Sequence, residues 1–97
     1  MDVQQVKVIV KIEQGRPLLF FPESPANHGR IECWDGAHCE ADMGYFWSLR
    51  NPQDNMESRV NAVLANYAAQ YQVAGPFQLQ RVFRDTDKMR RARWSQA

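Results

Sequence analysis

Two periodicities divide the chain. From Val3 to Glu13, Val6, Val8, Val10 and Ile12 alternate with Lys7, Ile9 and Lys11, a period of two that predicts a first strand. Glu13-Gln14-Gly15 follows as a turn, with Gly15 supplying the positive φ of a bulged hairpin loop. Arg16 to Phe21 is the return strand. Its consecutive Leu18, Leu19, Phe20 and Phe21 make both faces apolar, which suits a strand that is central or covered on two sides. Between Asn51 and Val73 the period changes to that of a helix. Met56, Val60, Val63, Leu64, Tyr67 and Tyr71 form one apolar stripe, with Glu57, Arg59, Asn61, Asn66, Gln70 and Gln72 largely opposite. Asn51 with Pro52 behind it, or Asp54 with Glu57 three residues on, can start this helix. Gly75-Pro76 stops it.

The remaining segments are shorter. Two prolines make 22–29 a loop. Arg30 to Ala41 reads as a second hairpin. A three-residue loop Trp34-Asp35-Gly36, with Gly36 left-handed, sets Cys33 opposite Ala37, Glu32 opposite His38, Ile31 opposite Cys39 and Arg30 opposite Glu40. Ile31, Cys33, Ala37, Cys39 and Ala41 then share one face. Arg30, Glu32, His38 and Glu40 share the other, in complementary pairs. A two-residue Asp35-Gly36 loop would set Glu40 beside Ile31 and Cys33, so the longer loop is preferred. In 42–50, Met43, Tyr45, Trp47 and Leu49 alternate like a strand, whereas Tyr45, Phe46 and Leu49 fit a helical turn capped by Asp42. The second reading is favoured. Phe77 to Arg84 is a last strand, with Phe77, Leu79 and Phe83 on one face.

The order β-β-β-β-α-β predicts an α+β fold, an antiparallel sheet of about five strands with one long helix packed on one face. Residues 1–84 form this single domain and 85–97 a basic C-terminal tail. The other sheet face would then present Ile9, part of the Leu-Leu-Phe-Phe run and Trp34, more apolar surface than a small monomer leaves in water. Either the tail or a second copy is expected to cover it.

Composition adds little, because 44% hydrophobic and 24% charged residues with a net charge of +1 are ordinary for a globular domain. The distribution of charge adds more. From Glu23 to Glu57, seven acids face two bases, and from Arg81 onward six bases face two acids. Acidic middle and basic tail can attract within or between chains. No signal-like start and no run long enough for a membrane are visible, so a cytoplasmic protein with two free thiols and no membrane partner is expected.

Gly15-Arg16-Pro17-Leu18-Leu19-Phe20-Phe21-Pro22, then Gly29-Arg30-Ile31-Glu32-Cys33-Trp34, then His38-Cys39-Glu40-Ala41 resembles short uncharacterised bacterial proteins of the mobile gene-cassette type. The resemblance covers about the first half of the chain. It implies a bacterial cytoplasmic protein, often a small oligomer, and carries no catalytic motif.

Four constellations bear on chemistry. His28, Cys33, His38 and Cys39 have the spacing H-x4-C-x4-H-C, but adjacent His38 and Cys39 cannot both reach one metal from a regular strand, so no metal and no other cofactor is expected. His38 among Arg30, Glu32 and Glu40 has the groups for acid–base work, yet no nucleophile stands beside it. A salt-bridge ladder is the commoner use of such a face, and no catalytic residue is assigned. Arg81, Arg84, Lys88, Arg90, Arg91 and Arg93, interleaved with Phe83 and Trp94, suit phosphate pairing and base stacking, although Asp85 and Asp87 interrupt them. Trp34 on a turn and Trp47 near a helix end suit an interface, or the wall of a small pocket between helix and sheet.

Together these predict a small non-enzymatic interaction module, homodimeric or bound to another protein, using Trp34, Trp47, His38, Glu40, Arg90, Arg91, Arg93 and Trp94. The alternatives are a nucleic-acid-binding accessory protein using the arginine cluster, and a small-ligand binder or enzyme using His38 and Glu40.

Overall fold

The computed structural model describes residues 4–72 and 77–83. Strands β1 (Gln4–Glu13), β2 (Arg16–Phe21), β3 (Arg30–Trp34) and β4 (His38–Asp42) form an antiparallel meander. Helix α1 (Met43–Ser48), a 3-10 turn (Asp54–Met56) and helix α2 (Glu57–Tyr71) lead to β5 (Phe77–Arg81). The sheet order is β4-β3-β2-β1-β5. The sheet is mixed, which corrects the all-antiparallel expectation: β5 runs parallel to β1, pairing Gln4 with Phe77 through Val8 with Arg81. The meander leaves one edge of β1 open at Gln4–Val8, and the chain returning from α2 takes it. Further along β1, the Ile12 amide donates to the Arg50 carbonyl at 2.8 Å.

β2 is the middle strand, and Leu18 through Phe21 are all buried, as four consecutive apolar residues require. Successive side chains of the sheet enter two separate cores. Val8, Val10, Leu19, Phe21 and Trp34 meet Val60 and Tyr67 of α2. Ile9, Leu18, Phe20, Ile31 and Cys33 meet Met43 and Phe46 of α1. The Phe20 and Phe46 rings meet edge to face at 4.8 Å. The face expected to be uncovered is therefore closed by α1, and Trp34 lies on the opposite side from the one assumed.

The short helix forms where 42–50 was ambiguous. Asp42 caps it, its Oδ1 accepting from the Gly44 amide at 2.7 Å. In α2 the stripe packs as its spacing requires, but the helix is shorter than 51–73 and neither expected cap is used. Asn51 instead accepts from Lys11 Nζ at 2.9 Å, and Asp54 sits in the 3-10 turn. Glu57 in the first turn of α2 is engaged by Arg81, whose Nη1 reaches both carboxylate oxygens at 3.0 and 2.9 Å. Gly75-Pro76 and the tail 85–97 lie outside the described residues.

Both hairpins differ from expectation in their turns. The first has a two-residue loop, Gln14 (φ 49°) and Gly15 (φ 79°), rather than a bulged one. Two positive φ values in succession match the twist of the flanking strands. In the second hairpin the loop is Asp35-Gly36-Ala37, and Trp34 pairs with His38, Cys33 with Cys39, Glu32 with Glu40 and Arg30 with Asp42. The slip is two residues, so each side chain keeps its face while every partner changes. The slip keeps Trp34 in the strand, where it buries its ring against α2. Cys33 and Cys39 are joined by a disulfide, not free thiols.

Candidate functional site

Strand parity aims Glu32, Trp34 and His38 at the C-terminal half of α2, where Tyr67 and Tyr71 lie one turn apart. Trp34 is only 5% exposed. Its Nε1–H donates to the Tyr71 hydroxyl at 3.1 Å, and its ring meets Tyr67 edge-on at 5.5 Å. Trp34 is thus a core residue with a satisfied donor, which corrects its assignment to an exposed interface. His38 stands at the rim of this cluster, its ring 4.8 Å from Tyr71 and its side chain 50% exposed. Its Nδ1 is 2.7 Å from Glu32 Oε1.

A carboxylate that fixes an imidazole is half of an acid–base device. The other half is missing among the described residues. Glu40 is turned away from His38, accepting from the backbone amide and side chain of Asn27 at 2.9 and 3.0 Å. Both cysteines are consumed in the disulfide. Among the described residues no group of three or more His, Cys, Asp or Glu side chains could hold a metal ion. The expected ladder Arg30–Glu40 and Glu32–His38 survives only in its second pair, now diagonal across the register. Glu32 and Glu40, directly opposite, each find a separate partner.

Burial, the neighbouring Tyr71 and then the Glu32 carboxylate push the Tyr67 phenol above its ordinary value of 10.0. The folded state holds this proton more tightly than the unfolded chain does. Its contribution to stability is therefore complete below pH 10.0 and is lost as pH rises toward the folded value. Tyr67→Phe is expected to flatten the alkaline limb of stability against pH, measured by urea unfolding. A variant whose alkaline limb matches the wild type would contradict this placement of Tyr67.

The other side of the sheet is built differently. α1 is six residues long and cannot span five strands. Trp47, Leu49, Ala41 and Val82 pack at the edge of its core and stay half-buried. Tyr45 is 43% exposed beside them. Of the acids of β4, Asp42 adjoins this layer as the cap of α1, whereas Glu40 lies on the opposite face beside Glu32; neither is ion-paired to Lys or Arg among the described residues.

Comparison with protein-family models, with curated proteins and with solved structures finds no match.

Of the residues singled out from the sequence, Trp47 alone lies on the α1 layer. His38 and Glu40 are exposed but separate, Trp34 is buried, and Arg90, Arg91, Arg93 and Trp94 lie outside the described residues. Sequence reasoning missed the Trp34–Tyr71–His38–Glu32 cluster. Its signal was present: with the strand extended by one residue, Trp34 and His38 share a face with Glu32, and Tyr67 and Tyr71 are the stripe residues nearest the helix end. Among the described residues no helix is long and apolar enough to cross a membrane. The disulfide also removes the cysteines as an argument for a reducing compartment.

Proposed function

We propose that the chain is a small non-enzymatic interaction module that binds a protein partner on the α1 side of its sheet, the partner being a second copy of itself. The observation that carries this reading is the thin α1 layer, where half-buried Trp47 and Leu49 adjoin exposed Tyr45. An aromatic centre ringed by charge is the usual anatomy of an interface. Asp42, at the start of α1, supplies an acidic rim position, and Arg90, Arg91 and Arg93 of the facing copy supply the complementary charge. Trp34 has no part in this contact.

The nucleic-acid alternative has less support. Arg81, the first of the basic cluster, is already held by Glu57. The exposed carboxylates of β4 would repel phosphate.

Light scattering on the full chain is expected to give the mass of a dimer. Trp47→Ala, with unchanged circular dichroism, is expected to give a monomer. A wild-type monomer at every concentration, or a Trp47→Ala dimer as tight as the wild type, would refute the reading.

A further inference from the structure

At the end of the molecule where both hairpin turns meet α2, a cleft of about 520 Å³ opens. Pockets for small molecules typically enclose about 300–1,000 Å³. Buried Trp34 and half-buried Pro17 and Val63 form its apolar wall. Exposed Arg16, Arg59 and Asn66 form its polar rim. The turns leave it open: beyond their own chain neighbours, nothing lies within 4 Å of where a Cβ would stand on Gly15 or Gly36.

The rim charges are unspent. Among the described residues neither the Arg16 nor the Arg59 side chain makes a hydrogen bond or an ion pair, and Asp35, the one acid of the lining, pairs with neither. Arg59 is the third residue of α2, where a cation opposes the helix dipole. The acid of that turn, Glu57, faces Arg81 instead. A negative group beside Arg59 would satisfy both the guanidinium and the helix terminus.

We infer that this cleft binds a small organic anion, with an apolar body against Pro17, Trp34 and Val63 and its carboxylate or phosphate between Arg16 and Arg59. Guanidinium groups hold such oxyanions by paired, charge-assisted hydrogen bonds. The site is separate from the α1 face and does not depend on dimerisation.

The test is a titration of the full ¹⁵N-labelled chain with phenylpropionate and with phenyl phosphate, beside neutral phenylpropionamide. At least one anion is expected to shift the amides of Gly15, Gly36 and Ala62, and comparing the two identifies the preferred oxyanion. The amide should bind about tenfold more weakly or worse, since loss of one charged hydrogen bond costs about that factor. Arg16→Gln and Arg59→Gln should each weaken the anion about tenfold. Ala62→Trp, placed at an exposed helix position, should block the cleft and leave the remaining spectrum unchanged. The inference is overturned if the amide binds as well as the anions, if both glutamine variants bind like the wild type, or if shifts gather on α1 instead. It is equally overturned if neither anion produces a shift at about 10 mM, a Kd weaker than any specific site of this kind would give.

Discussion

Trp34→Ala is expected to lower stability by about 3–5 kcal/mol, the range for removing a large buried aromatic. The indole is buried between Leu19 and Phe21 of the sheet and Tyr67 of α2, so its loss opens a cavity that neighbouring strands cannot close. It also removes the donor to the Tyr71 hydroxyl and the edge-on contact with Tyr67. For a domain of this size each kcal/mol moves the melting temperature by about 4–8 °C, so the transition should fall by more than about 12 °C. Tyr71→Phe, which removes only the acceptor, should cost about 1–3 kcal/mol through the stranded indole N–H. Guanidinium unfolding measures both. A Trp34→Ala variant within about 1 kcal/mol of wild type would mean that the ring is not in the core.

Phe46→Ala is expected to cost a similar amount, about 3–5 kcal/mol, on the opposite face. Phe46 and Met43 are the buried residues of α1, and Phe46 meets Phe20 of the central strand. Without Phe46 the helix loses its main anchor, and Ile9, Phe20 and Ile31 become accessible. The variant should therefore bind a hydrophobic dye that the wild type does not. A double-mutant cycle of Phe20→Leu with Phe46→Leu should return a coupling of about 0.5–1.5 kcal/mol for the ring pair. No dye binding and no coupling would show that α1 does not seal this face.

The elements that pack by strict periodicity were legible in the sequence. β1, the doubly buried β2 and the stripe of α2 follow from spacing alone. In the second hairpin the faces were legible and the partners were not, because a two-residue slip leaves the face pattern unchanged. What decided the register was tertiary: Trp34 gains more from burial against Tyr67 and Tyr71 than from a place in the turn. Cys33 opposite Cys39 follows from that slip. The direction of β5 has no local signal, since Phe77–Arg81 alternates identically in either orientation. The cover supplied by α1 was missed for a similar reason. Met43 and Phe46, three apart, are too few to distinguish a covering helix from a connecting turn. The caps failed for two reasons: Lys11 takes the Asn51 side chain, and Asp54 lies inside the 3-10 turn that precedes α2. The site residues divide the same way. Trp47 is exposed enough to serve because the short α1 cannot enclose it, whereas the same reasoning placed Trp34 at a surface that does not exist.

The claim that the α1 side faces a second copy is tested most directly by recording amide spectra of the ¹⁵N-labelled chain over a wide range of concentration. The prediction is that resonances of Tyr45, Trp47, Ser48 and Leu49 move with concentration, together with that of Asp42, while α2 stays fixed. Shifts that do not change with concentration, beside a monomeric mass throughout, would contradict it, as would changes confined to α2 or β5.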